Sequence, residues 1–258
     1  PTASVFSLGT DGDINASGGT YVCYLFGGGE STQNEAVSVD FDGSSDYLSL
    51  APHSDLAFGT GDFTIEFWMK MSTKQYTIFF DMRPSPETTQ GSYPCIYYNA
   101  NSSHLGYSTN SADQITGPDL EAGQWYHVAL SRSGTSTKMF LNGTQVGSTY
   151  SDSSDYLNGD TTIGCRADTT TGDLDGYISN FRCVKGTAVY TSSFKPPTEP
   201  LTNITNTKLL CCNDSSTTGS TVTPGTITAT GTVTASTDSP FDDPAGFVFG
   251  DSKEGIIK

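Results

Sequence analysis

Bulky and polar residues alternate with a period of two over most of the chain. In "DFTIEFWMKM" (62–71), Phe63, Ile65, Phe67 and Met69 face one way and Thr64, Glu66, Trp68 and Lys70 the other. This is the pattern of a half-buried strand, with Glu66 and Lys70 expected on the wetter face. Strand-like segments follow in series: "AVSVDF", "DYLSLA", "DFTIEFWMKM", "YTIFFDM", "CIYYNA" and "HLGYST", then "WYHVALSR", "TKMFLNG", "TQVGSTY", "TTIGC", "LDGYISNFRCV" and "TKLLCC". Turn residues separate them at roughly the 8–12-residue spacing of an all-β sandwich or barrel. The Asn-Gly pair in "LNG" (141–143) predicts a tight hairpin, because a type I′ turn needs positive φ at both central residues. Only "PHSDLAF" (52–58) could make a helical turn.

The flanks differ from this series. "GGTYVCYLFGGG" (18–29) reads as a strand with a flexible exit. Past Cys212 the chain becomes Thr-rich and nearly uncharged. That composition suits a disordered linker, whereas the alternating, β-branched "TITATGTV" (226–233) suits an exposed strand or an extended wrap. The expected division is an N-terminal extension over 1–34, being the end of a preceding domain or an inter-subunit strand. A sandwich over 35–212 follows, and 213–258 is an extended segment leading into a following domain. "PTASVFSLGTDGD" has neither a basic nor an apolar leader region and no initiator Met, so the chain is expected to be processed or part of a longer protein.

Charge and cysteine content narrow the classes. The formal net charge is −16, a field that repels phosphate backbones and argues against nucleic acid as a partner. No run approaches the ~18 apolar residues of a membrane span, so membrane insertion is not expected. The six cysteines, at 23, 95, 165, 183, 211 and 212, form no CxxC pair. They read as buried free thiols rather than a zinc site or disulfide frame, Cys165 to Cys183 being the best bridge otherwise. Cys211 and Cys212 are expected on opposite faces of a strand.

Catalytic chemistry finds little support. His127 lies mid-strand and reads as a packed or hydrogen-bonded core residue, and no nucleophile elbow, P-loop or HExxH motif is present. A glycosidase needs two carboxylates facing one cleft, and Glu66 has Trp68 and Lys70 where a partner should be. A hard cation fits better, since calcium takes carboxylate and loop oxygens. Asp40, Asp42 and Asp46 lie near one turn and Asp173 and Asp175 near another. A structural Ca2+ is the cofactor they could hold, with solvated turns as the alternative. Sugar binding favours aromatics beside polar loops. "GSYPCIYYNANSSHLGYSTN" (91–110) offers Tyr93, Tyr97, Tyr98, His104 and Tyr107, some of which alternation should bury.

Three motifs in order carry a resemblance: "VSVDFDGSSDYLSLAPHSDLAFGTGDFTIEFWMK", "GQWYHVALSRSGTSTKMFLNGTQVG" and "LDGYISNFRCVKGTAVYTSSFKPPTEPLTNITNTKLLCC". Over residues 35–212 the chain resembles laminin G-like domains, concanavalin A-like jelly rolls with two antiparallel sheets. The third motif is similar to the form found in structural proteins of marine bacteriophages, especially those of cyanobacteria. The flanking segments resemble parts of a domain that alternates with such modules there. The resemblance makes "WYHVA" a central core strand and places the family's acidic positions at Asp42, Asp46, Asp173 and Asp175.

The expected protein is a non-enzymatic virion module in a tail fibre, appendage or capsid decoration. It would assemble through its terminal strands with copies of itself or other virion proteins and bind host-surface carbohydrate through Tyr97, Tyr98, His104 or Tyr107. The alternatives are a purely structural self-assembling subunit and a bacterial surface adhesin, extracellular or on the cell surface.

Overall fold

The computed structural model describes residues 37–84, 91–157, 159–167 and 171–241. The expectations for 1–34 and for the tail from 242 onward lie outside them. The strands are β1 (Ser38–Asp42), β2 (Tyr47–Leu50), β3 (Phe63–Met71), β4 (Thr77–Asp81), β5 (Cys95–Asn99), β6 (His104–Thr109), β7 (Ala112–Thr116) and β8 (Tyr126–Ser133). They continue as β9 (Ser136–Leu141), β10 (Thr144–Ser151), β11 (Thr161–Ile163), β12 (Asp175–Lys185), β13 (Thr207–Cys211), β14 (Ser220–Val222), β15 (Ile227–Thr230) and β16 (Thr234–Ser236). Each of the twelve expected stretches contains one. Residues 52–58 make hydrogen-bonded turns rather than a helix, with Leu56 N–H donating to the His53 carbonyl.

Two antiparallel sheets pack face to face. One runs β10-β9-β8-β3-β12-β1-β16, with β13 and β14 continuing from β12; the other runs β15-β2-β11-β4-β5-β6-β7. All-β content, antiparallel pairing and two layers settle the sandwich-or-barrel choice that the alternation left open, and they agree with the jelly roll that the resemblance implied. Between the sheets Phe67 stacks on Phe181, with centroids 5.4 Å apart, and Phe181 meets Phe80 at 5.2 Å. The β9–β10 hairpin turns at Asn142 and Gly143 with φ of 49° and 75°, the backbone that the Asn-Gly pair demands.

The long strand β12 changes neighbours halfway. Its first half pairs with β1 and its second with β13. The switch falls at Asn180, where φ is 52° and the register with β3 shifts. Its amide side chain is engaged there, accepting from Leu201 N–H and donating to Ser179 Oγ.

The outer face of β3 is drier than its sequence suggested. Glu66 is fully buried beneath the segment linking β12 to β13. Arg182 donates to Glu66 Oε1 from Nε (2.9 Å) and Nη2 (2.6 Å), and Tyr190 O–H donates to Oε2 (2.8 Å). His127 Nε2 lies 3.3 Å from Oε2. Tyr190 stacks on Phe194 at 3.6 Å, and Phe194 meets His127 edge-on. A polar position on a strand marks the face away from the main core, which a covering loop can still bury. "WYHVA" is therefore architecture, with His127 and Val128 buried on opposite faces of the strand.

The cysteine expectation needs one correction. Cys95, Cys165, Cys183, Cys211 and Cys212 are free and buried, but Cys211 and Cys212 do not face apart. The strand ends at Cys211, and Cys212 takes a φ of 55° that turns both side chains into the core.

Past Cys212 the chain stays on the sandwich. Strand β14 pairs with β13, β15 with β2 and β16 with β1.

Candidate functional site

The outer face of the seven-stranded sheet carries an open cleft of about 450 Å³. Alternation in β5 turns Cys95, Tyr97 and Asn99 toward it and sends Ile96 and Tyr98 into the core. Directly opposite on β6 stand Ser108, Gly106 and His104. Gly106 has no side chain, so the Tyr97 ring lies down across it; a β-carbon there would collide with the ring. Tyr97 is consequently only 5% exposed, whereas Tyr76, just ahead of β4, is 41% exposed. The two rings sit 6.1 Å apart at 43°. Asn99, Ser108, Arg83, Arg166 and Asp113 also line the cleft.

Buried Asp81 holds the cleft's charged side in place. Arg83 donates to it from Nε (2.9 and 3.0 Å) and Nη2 (2.7 Å), and Ala167 N–H donates to Oδ2 (3.2 Å). One carboxylate thus ties the residues after β4 to those after β11. Burial, with Asp113 adding to it, pushes the Tyr97 phenol far above its ordinary range, so it keeps its proton. His104 Nε2 lies 3.5 Å from Tyr97 Oη and 3.9 Å from Asp113 Oδ2. An exposed ring beside amide, hydroxyl and guanidinium groups suits a sugar, whose apolar face stacks while its hydroxyls take hydrogen bonds.

Of the four aromatic candidates, Tyr97 lines this cleft and His104 stands next to its Tyr97 and Asp113. Tyr98 and Tyr107 do not, and expecting them there is corrected by the register, which points both into the core. Tyr98 O–H donates to Asp119 Oδ1 (2.5 Å). Tyr107 O–H bonds the hydroxyl of Tyr156, which donates to Asp152 (2.7 Å). Tyr93 packs partly buried against the same core. Sequence reasoning missed Tyr76, though alternation back from β4 through Ile78 could have found it. Arg83 and Arg166 arrive from loops and Asp113 from the edge strand β7, and no local pattern announces them.

The four acidic candidates gather at one end of the sandwich. Asp42 pairs with Asp175 across β1 and β12. Asp42 Oδ1 accepts the N–H groups of Ser44 (2.9 Å), Ser45 (3.0 Å) and Asp46 (3.3 Å). The donors of Ser45 and Ser44, in that order, hold its carboxyl down at about 2. Asp46 accepts Asp42 N–H at Oδ2 (3.1 Å) and Thr232 N–H at Oδ1 (2.5 Å). Asp175 accepts the Thr73 hydroxyl (2.8 Å). Burial, with Asp42 and Asp46 nearby, pushes the Asp173 carboxyl up. Among the described residues no group of three or more acidic, His or Cys side chains is placed to hold a metal. Asp42 and Asp46 are engaged in turn and strand-tethering hydrogen bonds.

A laminin G-type family model, described as the concanavalin A-like lectin/glucanases superfamily, matches residues 42–190. No curated protein sequence matches the chain. Among solved structures, the native heptameric SAP-like pentraxin of Limulus polyphemus is similar with a TM-score of 0.55 at 16% identity, over 80% of this chain and 97% of the pentraxin. A candidate carbohydrate binding protein from Bacteroides ovatus is similar with a TM-score of 0.54 at 14% identity, over 78% of this chain and 59% of that protein. At these identities the likeness is one of fold. The matched residues take in β2 to β12 and the residues lining the cleft, and the chain belongs to the concanavalin A-like lectin/glucanases superfamily.

Proposed function

We propose that the chain is a carbohydrate-binding module that takes a glycan in the cleft bounded by Tyr76 and Tyr97. The observation that carries this reading is the exposed Tyr76 ring beside the flattened Tyr97, with Asn99, Ser108 and Arg83 within the same open cleft. The carbohydrate-binding description of the Bacteroides ovatus protein agrees with it. Binding is favoured over hydrolysis because buried Asp81 is held in a bidentate pair with Arg83, which leaves it unsuited to act as one of two opposed catalytic carboxylates. The setting proposed is a virion structural protein displaying the module toward a host-surface glycan, which the phage-like third motif supports.

The test is a glycan array followed by titration of the best ligand. Tyr76→Ala and Asn99→Ala should each weaken binding about tenfold, equivalent to about 1.4 kcal/mol, while the thermal transition stays put. Binding that survives both substitutions unchanged, or no binding to any glycan, would sink the assignment. Immunogold labelling of native particles tests the setting, and gold confined to cell surfaces would replace virion with adhesin.

A further inference from the structure

Lys70 and Asp238 are in direct contact on the outer face of the nine-stranded sheet. Lys70 stands on β3 and Asp238 follows β16, so the contact joins positions 168 apart in sequence. The lysine side chain is only 15% exposed. Its Nζ lies 4.6 Å from the centre of the Tyr177 ring and 5.4 Å from that of Trp125. The carboxylate is aimed independently of the amine: Trp125 Nε1–H donates to Oδ1 (3.0 Å), leaving Oδ2 to Lys70. The backbone of Asp238 is also fixed, since the Ser38 hydroxyl donates to its carbonyl (2.6 Å) and its N–H donates to Ser236 Oγ (3.1 Å). Phe241 packs edge-on against Trp68 beside it, at 5.7 Å.

A third group shares the row. Register pairs Lys70 with Tyr177 and Tyr177 with Asp40, so the three side chains leave the same face of neighbouring strands. Two strand spacings, about 10 Å, separate the outer two backbones, and the lysine Nζ lies over the ring of Tyr177, the middle residue of the row. Burial pushes the Asp40 carboxyl up, and the charges of Asp46, Asp175 and Asp238 add to it.

A simple ion pair at a sheet surface contributes little and needs neither aromatic walls, nor a carboxylate held by an indole, nor a neighbouring acid. We infer that Lys70 and Asp238 condense into an intramolecular isopeptide bond, with Asp40 as the proton shuttle. The ammonium first gives a proton to the Asp238 carboxylate, leaving a neutral amine facing a carboxylic acid. Nζ attacks Cγ, and Oδ1, held by Trp125, becomes the oxygen of the new amide. Asp40 takes the second proton from Nζ and delivers one to Oδ2. The Cγ–Oδ2 bond breaks and water departs. Ammonium plus carboxylate become amide plus water, Asp40 is regenerated, and no electrons change hands.

Intact-mass spectrometry of the full chain, denatured to exclude non-covalent water, tests this directly. The expected mass is below the sequence mass by one water, about 18 Da, and a tryptic digest should yield a branched peptide joining Lys70 to Asp238. Lys70→Arg keeps the charge and should restore the full mass. Asp40→Asn should leave most of the chain uncondensed while circular dichroism reports a folded sandwich. A wild-type chain at its full sequence mass after prolonged native incubation overturns the inference. So does a water loss that persists in Lys70→Arg, which would place it elsewhere, such as an Asp-Gly succinimide. Full condensation in Asp40→Asn removes Asp40 from the mechanism.

Discussion

The ring of Tyr97 lies flat across Gly106, its direct cross-strand partner, filling the space a β-carbon would occupy. The flat ring opens the cleft beside Tyr76, so the smallest side-chain change at Gly106 should close it. Gly106→Ala is expected to lift Tyr97 and abolish glycan binding in titration. Overpacking of this kind costs about 1–3 kcal/mol, so the sandwich should still melt cooperatively. Retained affinity in this variant would separate the cleft from binding.

Glu66 anchors the segment over β3. Glu66→Ala strands Arg182 in a buried site without its carboxylate, and breaking such a pair costs about 3–5 kcal/mol. Denaturant unfolding should show the loss, and limited proteolysis should cut first between residues 186 and 205. A loss under 1 kcal/mol would mean that the aromatic stack of Tyr190 and Phe194 holds the segment alone.

Acid should act at the same place. Burial alone would raise the Glu66 carboxyl, but the His127 hydrogen bond and the Arg182 charge outweigh it and hold it below the ordinary 4.5. A depressed folded value contributes stability that is complete above the unfolded value and lost as pH falls through the folded one. Asp42, held at about 2, has the same sign. Stability should therefore decline from about pH 4.5 toward pH 2 in urea titrations, and Asp42→Asn should flatten the lower part of that decline. A decline at the low end that is unchanged in Asp42→Asn would contradict the Asp42 assignment.

The thiols should be silent in the native state. Burial pushes Cys165 up to about 12 and Cys95 and Cys183 higher still, and the thiolate is the reactive form. A chromogenic disulfide reagent should leave these three and the Cys211–Cys212 pair unlabelled until denaturant is added. Fast native labelling of any of the five would show that the core opens there.

The sequence announced the sandwich because alternation is local: β3, β8 and β12 each declare an inner face. It overlooked β7, whose one bulky apolar residue is Ile115, buried on the inner side. It read Glu66 as wet because a strand's pattern reports which face meets the main core and not what a distant loop later covers. Half of the aromatic candidates fell on the wrong face because "CIYYNA" places two tyrosines side by side, and only register decides that Tyr97 turns out and Tyr98 in. Arg83, Asp113 and Arg166 were invisible for a different reason. Arg83 and Arg166 sit in loops and Asp113 in the overlooked β7, and the cleft exists only where the topology brings them together.

The pairing of early strands with late ones has a temporal consequence. Strand β1 lies between β12 and β16, and β2 lies between β11 and β15. The first two strands of the sandwich thus wait for the last two before either sheet is complete. A ribosome adding about 5–20 residues per second needs on the order of ten to forty seconds to pass from residue 50 to residue 236. During that interval β1 and β2 present open hydrogen-bonding edges, the kind another nascent chain can capture. On a polysome the neighbouring chains pass through the same open stage one after another, so the order of the strands makes the timing of synthesis itself a determinant of whether this chain closes on itself or on a sister copy.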